Sequence, residues 1–226
     1  PGGGYEKISD REKDPVALYY FAQGFNTFIL NYSINEDAGD LNPLLELSDA
    51  LVQIRNRASV FYVNPTEIAV IGFSAGAHLA ASISTLYNHP EVKALTKVED
   101  GMNSPDVTLL CYPVISMGEY AHLGSKENVT QNNEKLIEML SLEKQVHKDT
   151  SPTFVWHTQD DDLVNIKILD YIDLFQKFGH KYGPQESYKL DHIAYVVLKE
   201  RKLSYEEHGN LHGLYKTNVK LFIKVT

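Results

Sequence analysis

The serine of Gly72-Phe73-Ser74-Ala75-Gly76 stands in the setting a nucleophile needs. Ahead of it runs the apolar, β-branched stretch Glu67–Ile71, bounded upstream by Asn64-Pro65, which reads as a buried strand. Behind it the small residues from Ala75 to Leu86 read as a helix. Strand, sharp corner and helix project a serine hydroxyl above a sheet, with glycine at flanking positions because only glycine tolerates the crowding. A hydroxyl is a poor nucleophile until an imidazole takes its proton, and a carboxylate on the other ring nitrogen fixes the tautomer and stabilises the imidazolium. Chains built on such a corner carry the groups in the order Ser, Asp or Glu, His. Here Ser74 is followed by the acidic run Asp160-Asp161-Asp162 and then by His212 near the C-terminus. The developing oxyanion needs donors. The N–H of Ala75 is one, and Gly2-Gly3-Gly4 can turn further N–H groups, those of Gly3 and Gly4, onto one oxygen. Taken alone, that glycine run also reads as a flexible chain end.

The elements that must position these groups alternate along the chain. Asp14-Pro15 opens a helix closed by Gly24, and Phe25–Tyr32 reads as a strand. An acidic loop, Ser33–Leu41, precedes a helix begun by Asn42-Pro43, with Leu44, Leu47, Leu51 and Ile54 at helical spacing. After the Ser74 strand and helix come strands at Val107–Val114 and Thr153–His157, a helix at Ile166–Phe178, a strand at His192–Leu198 and a terminal helix at Asn218–Val225. Such alternation means an α/β fold, a mostly parallel sheet with helices on both faces. The polar stretch Ile115–Lys148, with Leu136, Ile137 and Leu140 on one face of a helical piece, is expected to form a cap-like insertion over the site. No linker divides the chain, so residues 1–226 read as a single domain.

Composition narrows the function classes. The 226 residues carry 43% hydrophobic and 23% charged side chains and a formal net charge of −9, which argues against a nucleic-acid partner. The single cysteine, Cys111, lies in an apolar run and reads as a buried core thiol. No stretch resembles a signal peptide or a membrane span, and a cytoplasmic location is the expectation. His89, His122, His147, His180 and His192 show no paired metal-ligand spacing, so neither a metal nor another cofactor is expected. His78 reads as a packed residue, with the border of an acyl pocket as the sharper alternative; His157 reads as structural. Tyr5 and Tyr112 are candidates for a pocket wall or for the core.

Taken together, Pro1-Gly2-Gly3-Gly4-Tyr5, Gly72–Ala80, and Ser141–Val146 leading into Pro152–Thr158 resemble the α/β-hydrolase esterases, in particular the group related to acetylxylan esterases and hormone-sensitive lipases. The resemblance covers most of residues 1–180. It implies a carboxylesterase that works through an acyl-enzyme, with its acid in an Asp-x-x-Val-Pro turn. Asp161 matches through Val164, with Asn165 in the proline's place, and leaves Asp160 and Asp162 as solvated turn residues. The terminal Gly-x-His-Gly of the group is one residue longer here, Gly209-Asn210-Leu211-His212-Gly213. His208 is therefore a rival base, and His212 is preferred because the helix-like tail follows it directly. The resemblance also implies strands ahead of the glycine loop that this chain lacks, so it reads as the C-terminal portion of a longer chain.

The expectation is a serine esterase acting on a small-molecule ester with an acetyl to butyryl acyl group, carbohydrate esters included, with no membrane partner and a homodimer left open. A serine peptidase on the same fold and an inactive, ligand-binding relative are the alternatives.

Overall fold

The computed structural model describes residues 1–158 and Asp161. A 3₁₀ turn at Asp10–Glu12 leads into helix α1 (Asp14–Ala22), and a second, Asn35–Ala38, precedes α2 (Asn42–Asn56) and the one-turn α3 (Ala58–Phe61). Then follow β1 (Ala69–Phe73), α4 (Ala75–Leu86), α5 (Pro90–Thr96), β2 (Val107–Cys111), α6 (Leu123–Thr130), α7 (Glu134–Met139), a 3₁₀ turn at Leu142–Lys144 and β3 (Thr153–Trp156). Pro15, Pro43 and Pro90 each stand in the first turn of their helix, where the fixed φ suits the helix and no N–H is missed.

The three strands are parallel and ordered β1-β2-β3, with Phe73 opposite Cys111 and Cys111 opposite Trp156. Parallel neighbours need crossovers, which α4 and α5 supply between β1 and β2, and α6 and α7 between β2 and β3. Helix α4 packs across β1 and β2, and α2 packs behind it. All twelve residues of α4 are buried. Its small side chains, Ala75, Ala77, Ala80 and Ala81, permit that close approach on every side, and Leu44, Leu47 and Leu51 of α2 join them in the core.

Four expectations are corrected. Phe25–Tyr32 is not a strand: it forms no ladder with another described segment, and Phe25, Phe28 and Ile29 are exposed. Apolar alternation marks a strand only where a neighbour offers hydrogen bonds. The strand expected to reach Val114 ends at Cys111, because Tyr112 enters the left-handed region (φ 37°) and Pro113 has no N–H to donate. Cys111 is half-buried rather than fully inside. The apolar side chains expected to face down from the 115–148 segment are part of the core of the described residues. Leu136 and Leu140 are buried in the core beside Met139 and Leu142, and Ile137 packs against them. Burying those side chains against α4 is worth more than leaving them over a solvent-filled cleft.

His78 joins that segment to α4. Its Nε2 lies 2.9 Å from the Leu140 carbonyl and its Nδ1 2.8 Å from the Tyr5 hydroxyl. A carbonyl only accepts, so Nε2 carries the proton and Nδ1 accepts from Tyr5. Both residues are buried, so His78 is packed, and Tyr5 belongs to the core. Burial pushes the imidazole down to about 4, with the Leu140 bond opposing it only in part.

This has a consequence for acid stability. An unfolded histidine titrates at ~6.5. Between that value and about 4 the unfolded chain binds more protons than the folded one, so stability is full above the window and falls as pH drops through it. The loss should be on the order of 3 kcal/mol. Urea unfolding at pH 7 and pH 4.5 is expected to show it, and His78→Gln, weaker at pH 7, should show a flatter dependence across the same interval.

Candidate active site

Ser74 occupies the corner between β1 and α4 at φ 51°, ψ −117°, a region that side-chain-bearing residues avoid. Its neighbours hold it there. The Ser74 N–H donates to the Cys111 carbonyl (3.0 Å), and its own carbonyl accepts from Ala77 and His78 (3.1 Å each) and from Val114 (3.3 Å). The corner is thus bonded both to the end of β2 and to the first turn of α4.

The glycine loop lies directly against this corner. A Cβ on Gly2 would come within 2.6 Å of the Phe73 carbonyl oxygen and 3.0 Å of the Ser74 Cβ, and one on Gly76 within 2.2 Å of the Pro1 oxygen. Only hydrogen fits at these two crossings. The loop's carbonyls are all occupied: Pro1 accepts from the Tyr32 hydroxyl (2.6 Å), Gly2 from Ser9 N–H (3.0 Å), Gly3 from Glu6 and Lys7 N–H (3.1 Å each), and Gly4 from Asn128 Nδ2 (2.9 Å). By contrast, the N–H groups of Gly3, Gly4 and Ala75 make no hydrogen bond among the described residues. Gly3 and Gly4 take φ values of 126° and 70°, which turn the loop.

Of the residues singled out in the sequence, Ser74, Ala75 and the glycine loop are therefore brought together. Asp161 is half-buried beyond the C-terminal end of β3 and engaged with its surroundings. His212, its rival His208, Asp160 and Asp162 lie outside the described residues, as do the elements expected at 166–178, 192–198 and 218–225. His180 and His192 also lie outside the described residues, whereas His89, His122 and His147 have local duties. His89 and His122 accept from backbone N–H groups at the starts of α5 and α6, and His147 reaches the Thr85 carbonyl (3.0 Å). Among the described residues no group of three or more His, Cys, Asp or Glu side chains is placed to hold a metal. Nor is any described helix long and apolar enough to cross a membrane.

Two further residues border the corner: Tyr112, a pocket-wall or core candidate in the sequence, and Glu12, which carried no signal there. Tyr112 follows β2 and stacks edge-on with Trp156 (centroids 5.9 Å apart) and at a tilt with Phe73 (6.0 Å), forming an aromatic row across the strand ends. Glu12 bonds both Tyr112 and the glycine loop. Burial, then the hydrogen bond to Glu12, pushes the Tyr112 hydroxyl up, so it stays a donor.

The BD-FAE family model matches residues 1–171. The chain belongs to the BD-FAE family. Over 174 residues this BD-FAE chain is 32% identical to an acetylxylan esterase of Xylanibacter ruminicola, covering 74% of this chain and 33% of that protein. Over 177 residues it is 31% identical to endo-1,4-beta-xylanase B of Butyrivibrio fibrisolvens, covering 74% and 27%. The chain thus spans no more than 33% of the length of these relatives. Among solved structures it resembles an acetyl ester-xyloside bifunctional hydrolase from Caldicellulosiruptor lactoaceticus, with a TM-score of 0.65 and 36% identity over 81% of this chain and 66% of that one. The parallel sheet with its packed helices is that of the α/β-hydrolase fold.

The close crossing at Gly76 yields a direct test of the packing. Gly76→Ala would drive a methyl into the Pro1 carbonyl and should destabilise the BD-FAE chain by about 1–3 kcal/mol. Gly118→Ala would meet only the Ser116 hydroxyl, at 3.3 Å, and should stay within about 0.5 kcal/mol of the parent. Urea midpoints of the two variants measure the difference.

Proposed function

We propose that this chain carries the catalytic machinery of a serine carboxylesterase for short acyl esters. The observation that carries the reading is the strained Ser74 corner with a glycine loop packed against its Cβ and three N–H groups left without acceptors among the described residues. The names of its relatives support an ester substrate.

In this mechanism the Ser74 hydroxyl attacks the ester carbonyl while His212 takes its proton. Asp161 holds the imidazole in the tautomer that can do so and stabilises the imidazolium. Negative charge gathers on the carbonyl oxygen, where the N–H groups of Gly3, Gly4 and Ala75 receive it. Collapse expels the alcohol, which takes the proton from His212, and leaves an acyl-Ser74. Water, deprotonated by His212, attacks that acyl group, and the acid departs as Ser74 recovers its proton. No metal takes part in these steps. Acetyl to butyryl is the acyl range and an acetylated carbohydrate the substrate class, supported by relatives named for acetyl esters and for xylan or xylosides. Leu136 and Leu140 are committed to the core and supply no lid over the acyl group.

p-Nitrophenyl esters test the reading. The parent should give a burst of nitrophenol, with kcat/KM highest from acetyl to butyryl and more than about tenfold lower at octanoyl, where overpacking offsets the added apolar area. Ser74→Ala should lose on the order of 10³-fold or more with little change in Tm. A rate that keeps rising through octanoyl would mean an open groove.

The acid is tested separately. Asp161→Asn should lower kcat by about two orders of magnitude or more, because an amide favours the wrong tautomer. Asp160→Asn and Asp162→Asn should stay within several-fold of the parent. Sensitivity at either of those positions instead would transfer the role.

A further inference from the structure

Glu12 lies in the polar run Ser9-Asp10-Arg11-Glu12-Lys13, where a carboxylate would ordinarily be a solvated surface charge. In the structure it is half-buried and faces inward. Its Oε2 accepts the Gly2 N–H at 2.7 Å and its Oε1 accepts the Tyr112 hydroxyl at 2.9 Å. The same Gly2 is held from its other side, since its carbonyl accepts Ser9 N–H at the entry to the Asp10–Glu12 turn. The point a Gly2 Cβ would occupy is 2.8 Å from Glu12 Oε2 and 3.0 Å from Ser74 Cβ, so carboxylate and serine flank one backbone unit. Tyr112 directly follows Cys111, whose carbonyl receives the Ser74 N–H. Lys13, next along the chain, lies near Asp10 (3.3 Å) and Asp14 (4.0 Å), and among the described residues no Lys, Arg or His side chain pairs with Glu12.

We propose that Glu12 is a positioning residue for the oxyanion loop, its carboxylate bridging the Gly2 amide and the Tyr112 hydroxyl so that the glycine loop keeps one fixed distance from the Ser74 corner. Hydrogen bonds to an ionised acceptor are short and strong, and two, one on each oxygen, fix the carboxylate as well as the loop. The donors that follow Gly2, Gly3 and Gly4, act only as charge develops on the substrate oxygen. A loosened loop therefore weakens transition-state binding while leaving ground-state binding alone. A glutamine can still serve: its oxygen takes the Gly2 N–H, and its NH₂ donates to a rotated Tyr112 hydroxyl.

The inference rests on the esterase reading for its kinetic consequence, so two readouts on the full chain separate them. With p-nitrophenyl acetate, Glu12→Ala should lose about 30-fold in kcat with KM within about twofold of the parent. Glu12→Gln should recover to within about fivefold and Tyr112→Phe should lie between the two. By NMR hydrogen exchange, the Gly2 amide should be protected in the parent and in Glu12→Gln and lose that protection in Glu12→Ala. Unchanged kcat in Glu12→Ala, or equal losses in Ala and Gln that track a fall in Tm, would overturn the proposal. So would a Gly2 amide equally protected in Glu12→Ala. A parent that turns over no ester would sink the esterase reading, while the Gly2 exchange would still decide the bridge.

Discussion

A backbone conformation that side-chain-bearing residues avoid governs the architecture around Ser74. At φ 51° and ψ −117° the serine persists only because its surroundings over-determine it. Its amide is spoken for by the end of β2, its carbonyl by the first turn of α4 and by Val114. Those bonds require β1 and β2 in the observed register, and the register requires a crossover that returns the chain alongside its own start. The burial of α4 along its whole length holds that crossover in place, and α2 closes over it. Cost at one residue is thus spread over much of the described core.

The glycine loop meets this corner through backbone rather than side chains. Gly2 against Phe73 and Ser74, and Gly76 against Pro1, are contacts at which a methyl group would displace main chain. Because every carbonyl of the Pro1–Gly4 run is already bonded, the loop is tied down on that side, and among the described residues the Gly3 and Gly4 amides are left unbonded. Two titratable groups beside it are kept in their neutral forms by burial. His78 is held neutral on the buried α4, and the Tyr112 hydroxyl keeps its proton beside Glu12. The first keeps the core joined to the 115–148 segment, and the second keeps a donor on the carboxylate.

What could be read from residue types was whatever local chemistry determines. The Ser74 strand, corner and helix follow from β-branched residues giving way to small ones across two glycines, and α1 and α2 from prolines in their first turns. The packed role of His78 was also legible, since an imidazole on an otherwise apolar helix has to be satisfied inside. Contacts between distant segments were not. Phe25–Tyr32 alternates like a strand, yet a ladder depends on a partner that its own residues do not specify. Leu136 and Leu140 show an apolar face but not which surface it will meet. Glu12 is an ordinary charge until the fold sets Tyr112, 100 positions away, beside it. The proposed acid and base, Asp161 and His212, rest on order along the chain and on resemblance.

The central claim is that Ser74 is a nucleophile activated by its setting. The most direct measurement is covalent trapping with an activated organophosphonate, followed by peptide mass mapping of the full chain. The account predicts one adduct of unit stoichiometry, on the peptide containing Ser74, formed far faster than reaction of the reagent with the denatured chain. No adduct on that peptide, or labelling no faster than in the denatured chain, would contradict it.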